Sequence, residues 1–129
     1  MNTLIIGSSG KIGKFFTKYK KKNFYLTYFK TKIKDGIKFN ILKDNLDLII
    51  NKYKIKKIVL LSAITEPDEC AKNKAHSNNL NVIMTKKLIN KIIDKNIYFI
   101  FISSELIFSG KKGNYKEEDK ANPINLYGK

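Results

Sequence analysis

Arginine is missing altogether: every one of the 26 basic residues in this 129-residue chain is lysine, set against 11 acids for a formal net charge of +15. A balance of that size permits nucleic-acid binding. Yet arginine is the side chain that reads guanine edges and forks onto phosphates. The lysines, moreover, fall between the apolar positions of predicted helices, where a solvated face needs them. The excess is uneven, with 15 lysines up to Lys57 facing only Asp35, Asp44 and Asp47 (a balance of +12) and the remainder contributing +3. Abundant Lys, Asn and Ile fit an AT-rich coding bias, so nucleic acid stands as the lesser reading of the charge. Cysteine is nearly absent too. Cys70 has no partner for an internal disulfide and no metal-ligand companion, which fits a reducing compartment and a buried or semi-buried inert thiol; no metal site is expected. The single histidine, His76, has no obvious partner and reads as a surface residue. No run approaches the roughly 18 apolar residues of a membrane span. Only Leu4 to Ile6 precede the first glycine, so no signal peptide is expected and the chain is placed in the cytoplasm. With 43% hydrophobic residues and no repeat, linker or low-complexity block, one domain with a modest core is expected.

What the chain does have is Leu4-Ile5-Ile6-Gly7-Ser8-Ser9-Gly10-Lys11-Ile12-Gly13. A short apolar run reads as a buried parallel strand. Ile12, Phe15, Phe16 and Tyr19 then recur at i, i+3, i+4 and i+7, the stripe of an amphipathic helix. Strand, glycine turn and helix N-terminus in that order make a phosphate cradle, because free backbone N–H groups and the positive end of the helix dipole point at one place. Gly7 serves the tight turn, Gly10 the approach of a pyrophosphate, and Gly13 the packing of helix on strand. The spacing is G-x-x-G-x-x-G, the variant of short-chain reductases, rather than G-x-G-x-x-G. A glycine loop without a ligand is the plain alternative.

The remaining elements alternate. The first helix should end near Lys20–Lys22, and Asn23–Phe29 reads as a second strand. An NAD site usually places an acid about 20 residues beyond the glycines, on the ribose 2′-OH. Here Phe29-Lys30-Thr31-Lys32 stands instead, and Lys30 and Lys32 can meet a 2′-phosphate, so NADP(H) is favoured over NAD(H). Both lysines would also suit an ordinary loop. Ile37–Ile41 is a short third strand, with Asn40 placed to face an adenine. Asp44 can cap a helix bearing Leu46, Ile49, Ile50 and Tyr53. Ile58–Leu61 is a fourth strand, ending in the small residues Ser62 and Ala63 before Ile64 and Thr65, where a dinucleotide can lie across the sheet edge. Glu66–Asn79 reads as a loop or loosely wound turn. Leu80, Met84, Leu88 and Ile92 mark a long helix, Ile97–Ile102 a fifth strand, and Glu105–Lys129 a turn-rich tail. The expected fold is α/β: a Rossmann-like, doubly wound parallel sheet with helices on both faces.

Two stretches carry a family resemblance. Phe101-Ile102-Ser103-Ser104-Glu105-Leu106-Ile107-Phe108-Ser109-Gly110 resembles a strand ending in Ser-Thr-Asp, then an aromatic, Val-Phe and, after one more residue, Gly. Tyr115-Lys116-Glu117, with Asn122-Pro123-Ile124-Asn125-Leu126-Tyr127-Gly128, resembles a Tyr-x-Glu segment and Asn-Pro-Leu-Asn-x-Tyr-Gly. Asp68-Glu69-Cys70, with Asn81 eleven residues beyond the cysteine, is a weaker third piece. Together they resemble the extended short-chain reductases, and within them the dTDP-4-dehydrorhamnose reductases of sugar-nucleotide metabolism.

The resemblance implies a reductase of a 4-keto-6-deoxy nucleotide sugar, of the kind used in dTDP-rhamnose and polysaccharide biosynthesis. Tyr127 takes the place of the tyrosine that protonates the substrate oxygen, and Ser104 that of the hydroxyl that hydrogen-bonds it. The cofactor-binding set becomes Gly7, Ser9, Gly10, Lys11, Ile12 and Gly13 on the pyrophosphate, and Lys30, Asn40 and Ile41 toward the adenosine. Ser62, Ala63, Ile64, Asn81, Ile102 and Ser103 fall toward the ribose and nicotinamide. Glu105, Leu106 and Asn40 depart from the family's Asp, aromatic and Asp. The family's tyrosine works with a lysine four residues later, whose ammonium favours ionisation of a phenol with a pKa of about 10. That position falls two residues past Lys129, and Lys129 itself would point to the other side of a helix. The chain is therefore expected to be an N-terminal portion of such a reductase, with residues 1–129 a partial nucleotide-binding domain, inactive alone and prone to self-association or completion by a further segment or chain. An epimerase or dehydratase of the same fold, or a non-catalytic nucleotide-binding or regulatory module, are the alternatives.

Overall fold

Four of the apolar runs become strands whose ends lie within one residue of the expected ones, and the third is cut short. In a computed structural model describing residues 1–129, β1 (Thr3–Ile6), β2 (Phe24–Tyr28), β3 (Ile37–Lys38), β4 (Lys57–Leu60) and β5 (Tyr98–Phe101) form one sheet in the order β3-β2-β1-β4-β5. Every pairing is parallel, and Ile5 stands opposite Leu26 on one side and Val59 on the other. Side chains alternate between faces along a strand, and two cores result. Leu4, Ile6, Ile58 and Leu60 point toward α2 (Leu46–Tyr53) and α5 (Thr85–Ile92), where they meet Leu46, Ile50, Leu88 and Ile92. Ile5, Leu26 and Val59 point the other way, toward Phe16 of α1 (Lys11–Lys18). Helices on both faces of a parallel sheet are the doubly wound architecture expected.

Several local expectations are corrected. Asp44 does not cap α2: its carboxylate accepts from Asn40 N–H at 2.7 Å, and the cap is Asn45, whose Oδ1 accepts from Asp47 N–H at 3.0 Å. The same turn shortens β3, because Asn40 Oδ1 accepts from Leu42 N–H at 3.0 Å and bends the chain out of the sheet. Glu66–Asn79 is not a loop. It holds α3 (Pro67–Lys72) and α4 (Lys74–Ser77), followed by a π-helical turn over Asn78–Met84 that runs into α5. Pro67 at the start of α3, with Asp68 and Glu69 in its first turn and Lys72 in its last, gives a short helix its ends. Cys70 and Ser77 alone are buried there, so no apolar period advertises it. Cys70 is 1% exposed, and burial pushes its thiol pKa up, which keeps it an inert thiol. His76 is exposed.

The α1 stripe differs most. Gly13 is buried and Phe16 packs on the sheet, but Ile12, Phe15 and Tyr19 are 57%, 61% and 54% exposed. They form an apolar strip beside the helix, with Phe15 and Tyr19 rings 4.7 Å apart. The two sheet edges are also unlike. β3 is two residues long and ends in lysine, a blunted edge, whereas β5 leaves Tyr98 and Phe101 more than half exposed. On the face covered by α2 and α5, Lys95 Nζ donates to Asp47 Oδ1 at 2.7 Å, tying the segment after α5 to α2 and holding the carboxyl pKa below its ordinary value.

A chain of these 129 residues is expected to self-associate through the strip and the β5 edge. Net charge opposes that contact and salt screens it, so the mass by light scattering should rise with protein and with salt concentration. Phe15→Glu combined with Tyr98→Lys should return a monomer, and a wild-type monomer at high salt would refute the expectation. The Asp47–Lys95 pair, half in solvent, is worth less than about 1 kcal/mol. Because the carboxylate pKa is lowered in the fold, that stability is present at neutral pH and is lost as pH falls through the folded value. Melting curves of Asp47→Asn and wild type should therefore converge in acid.

Candidate functional site

The turn after β1 is shaped by contacts that admit no side chain. Gly7 has φ +94°, and a Cβ there would sit 2.8 Å from Ser62 N. A Cβ on Gly13 would run into the Ser8 Cα and the Gly7 carbonyl oxygen, so α1 can lie against the turn only through glycine. Gly10 is different. Its backbone is extended (φ −73°, ψ 176°), and a Cβ would meet nothing closer than Gly7 O at 3.4 Å. The protein's own packing does not require glycine at 10. Gly10 is also the N-cap of α1 and offers no side-chain acceptor, so no side chain covers the first helical amides. That leaves the first amides of α1 uncapped at the positive end of the helix dipole, the setting in which a phosphate is bound.

Two hydroxyls that the sequence pattern did not single out hold this turn in place. Ser8 and Thr27 are 0% and 1% exposed. Ser8 Oγ donates to Ile5 O at 2.9 Å and accepts from Thr27 N–H at 3.2 Å, while Thr27 Oγ1 donates to Ile5 O at 3.2 Å and accepts from Gly7 N–H at 3.3 Å. The available signal was a hydroxyl residue between glycines and a threonine in an otherwise aromatic and aliphatic strand.

Beyond the carboxyl ends of β4 and β5 lies a cleft of about 370 Å³. Ile12 comes to it from α1, Ser62 and Ala63 from the loop after β4, Asn81 from the π-helical turn, Ile102, Ser103 and Ser104 from the end of β5, and Tyr127 from the tail. Thus eight of the residues expected at a cofactor or catalytic site are brought together on the side of the sheet edge where α1 begins. Thr65, in the stretch expected at the sheet edge, lines it too; Glu105, Thr85 and Lys129 also line it and were not anticipated, though Thr85 was findable one helical turn after Asn81.

The tail reaches the cleft through close backbone packing. Asn122 N–H donates to Ile107 O at 2.9 Å, and Gly128 N–H to Asn125 Oδ1 at 2.8 Å. A Cβ on Gly128 would collide with the Leu106 carbonyl, so the Tyr-Gly pair lets the tail close on the 3₁₀ turn Glu105–Ile107. Ser104, the cap of that turn, accepts from Leu106 N–H at 3.2 Å and donates to Glu105 Oε2 at 3.1 Å. Away from the cleft, Tyr115 stacks on Phe108 at 4.4 Å, and its phenol pKa is lowered by its hydrogen bond with Ser109 and by Lys112 N–H.

Other expected residues lie elsewhere. Ile64 is buried beside Cys70 and presents only backbone toward the loop. Ile41 lines a separate pit of about 170 Å³ with Phe39 and Met84. Asn40 Oδ1 is engaged in its own turn. Lys30 is exposed just past β2, Ser9 is half-buried in the glycine turn, and Lys11 is exposed, 3.9 Å from Glu66.

Comparison with known proteins agrees with this fold. The family model described as RmlD substrate binding domain matches residues 1–129. Methionine adenosyltransferase 2 subunit beta of Bos taurus is 29% identical over 130 aligned positions, covering 98% of this chain and 39% of that protein. The dTDP-4-dehydrorhamnose reductase of Aggregatibacter actinomycetemcomitans is 31% identical over 88 residues, 67% of this chain and 30% of that one. The crystal structure of a hypothetical dTDP-4-dehydrorhamnose reductase from Sulfolobus tokodaii superposes with a TM-score of 0.87 at 31% identity, covering 99% of this chain and 48% of that chain. The chain therefore spans less than half the length of these relatives.

The glycines separate by experiment. Gly13→Ala should destabilise the fold by about 1–3 kcal/mol through overpacking. Gly10→Ala should cost within about 1 kcal/mol, the difference between these residues at a helix cap. Equal melting temperatures for the two variants would refute this assignment of roles.

Proposed function

Because the chain belongs to the RmlD substrate-binding-domain family, we propose that it is the dinucleotide-holding part of a nucleotide-sugar reductase acting on a 4-keto-6-deoxy sugar. The observation that carries the reading is the convergence of Ser104 and Tyr127 on one cleft with Ile12, Ser62 and Ala63. The helix start at Gly10 fits a dinucleotide: it has no capping side chain, and it has open space that a Cβ would take. When bound, the nicotinamide supplies the hydride. Gly7, Gly10 and Gly13 shape the pyrophosphate seat, with the amides of Lys11 and Ile12 directed at it and Ser9 at its rim. Ser62, Ala63, Ile102 and Ser103 line the ribose and nicotinamide end, and the turn at Asn40 is assigned to the adenosine end, with the Ile41 side chain in the separate pit beside Phe39. Tyr127 gives a proton to the substrate oxygen, and Ser104 orients that oxygen.

NADP(H) is proposed over NAD(H), since Lys30 and Lys32 follow β2 where an NAD site uses an acid. Nucleotide sugar is the proposed partner and the cytoplasm the proposed location; no helix is long and apolar enough to cross a membrane. A second reading has an observation of its own. The relative matched over 98% of this chain is named a subunit of methionine adenosyltransferase 2, which favours a nucleotide-binding module without turnover.

Fluorescence titration should give a dissociation constant for NADPH about fivefold or more below that for NADH, the scale of one exposed charge-assisted phosphate contact. The double variant Lys30→Ala and Lys32→Ala should erase the difference; equal affinities in the wild type would refute the NADP(H) preference. Turnover is tested in a chimera in which these residues replace the matching half of the Sulfolobus tokodaii relative. A dTDP-4-keto-6-deoxyhexose should be reduced, and Tyr127→Phe should lower kcat about a hundredfold or more, as for loss of a general acid. Binding without turnover in the chimera would favour the subunit reading.

A further inference from the structure

We propose that the amino-terminal edge of the sheet, opposite the cleft, is a docking surface for an anionic lipid bilayer. All five strands run parallel, so their first residues share one edge and the cleft lies at the other. Lys20, Lys21 and Lys22 precede β2, and Lys54, Lys56 and Lys57 lead into β4. Side-chain amides and backbone bonds draw these two turns together around Asn2, ahead of β1. Asn2 O accepts from Lys56 N–H at 3.0 Å and from Lys57 N–H at 3.1 Å, and Asn2 Nδ2 donates to Tyr53 O at 2.7 Å. On the other side Thr3 N–H donates to Asn23 O at 2.9 Å, and Asn23 Nδ2 to Met1 O at 2.6 Å. Because β2 and β4 flank β1, the two lysine groups stand about 10 Å apart, across two strand spacings.

The charge gathered there is nearly unopposed. Of these six lysines only Lys20 is paired with a carboxylate, that of Asp35 at 3.8 Å. Asp94, in the turn before β5, is the other acid at this edge, and Lys95 beside it is engaged with Asp47. A cation at a helix C-terminus suits the dipole, but that effect is confined to the last turn. Lys21 and Lys22 beyond α1, and Lys56 and Lys57 at the start of β4, lie outside it. Nor do they lie on helix faces, where solvation alone calls for lysine. What stands among the lysines separates a bilayer from a nucleic acid. Tyr19, Ile93 and Tyr98, at the end of α1, the end of α5 and the start of β5, are each more than half exposed. Lys18 and Lys57 hold their ammonium groups 5.3 Å from the Tyr19 and Tyr98 ring centroids. Tyrosine suits a membrane–water interface, and a lysine stem lies on apolar surface while its head stays among the headgroups. An aliphatic side chain such as Ile93 gives nothing to a phosphodiester backbone but gains by entering the acyl boundary. A cluster of about four to eight lysines is the size that an anionic leaflet attracts. Docked by this edge, the protein keeps its cleft turned away from the bilayer.

Flotation with vesicles tests this, since self-associated protein stays at the bottom of the gradient. The chain should float with phosphatidylcholine vesicles containing about a third phosphatidylserine and stay down with phosphatidylcholine alone. The bound fraction should fall as salt rises. Lys21→Glu, Lys22→Glu and Lys56→Glu together should weaken binding about a hundredfold or more. The same charge change at Lys86, Lys111 and Lys120, away from the edge, should weaken it about tenfold or less. Ile93→Gln with Tyr98→Ser should cost about tenfold and leave the salt dependence in place. All of these side chains are exposed, so melting temperatures should stay near that of wild type. No flotation with the anionic vesicles, or equal losses in the two lysine triples, would overturn the proposal. An Ile93 and Tyr98 variant that floats like wild type, while a single-stranded oligonucleotide binds more tightly than the vesicles, would assign the edge to nucleic acid and overturn it as well.

Discussion

The fold turns on how closely backbone can approach backbone after β1. Gly7 sits in a left-handed conformation with the β4 exit beside it, and Gly13 presses α1 onto the Ser8 backbone. Neither contact leaves room for a methyl group. Underneath, the Ser8 and Thr27 hydroxyls bind each other's strands through Ile5 and Gly7, with no water needed to satisfy them. Removing either hydroxyl would strand a buried donor, which is why a small polar pair persists in an apolar layer. From this fixed corner the sheet order follows: β2 on one side of β1, β4 on the other, and the helix dipole of α1 aimed at the gap between them.

The two faces of the sheet are finished to different degrees. Toward α2 and α5 the core is continuous, from Leu4 and Ile58 through Leu46, Ile50, Leu88 and Ile92. Toward α1 it is thin: Ile5, Leu26 and Val59 under Phe16, with Ile100 at its margin. Ile12, Phe15, Tyr19, Tyr98 and Ile102 stay exposed beside that thin layer. The cleft opens at its carboxyl end, so the residues facing a ligand and the residues facing solvent share one apolar surface.

Much of this was legible. The strand and helix alternation, the parallel sheet and the close packing at Gly7 and Gly13 were readable from period and spacing, because burial on both faces forces continuous apolar runs and close approach forces glycine. The tail motif pointed to Ser104 and Tyr127 before any geometry placed them in one cleft. What failed to show was set by contacts distant in sequence. Cys70 and Ser77 bury too little apolar surface to mark α3 and α4. The exposure of Phe15 and Tyr19 depends on how much of the sheet a neighbour covers, which a helical stripe does not encode. Asp44 and Asn45 are both competent caps, and the choice fell to Asn45 because Asp44 was already held by the Asn40 amide.

Glu105 gives the cleft a feature of its own. A serine hydroxyl has one proton, and Ser104 directs it to the Glu105 carboxylate at 3.1 Å while its oxygen takes the Leu106 N–H. In that arrangement Ser104 cannot also donate to a carbonyl oxygen in the cleft. On the proposed reading, either Glu105 releases the hydroxyl when a ketone arrives, or Tyr127 is the only hydroxyl donor to that oxygen and Ser104 serves as an acceptor for an alcohol. Glu105 is exposed, so rotating its carboxylate back into water opposes the first course only weakly. The first course follows, with the carboxylate holding the serine rotamer until substrate displaces it and Tyr127, brought in by the Gly128 contact with Leu106, completing the pair.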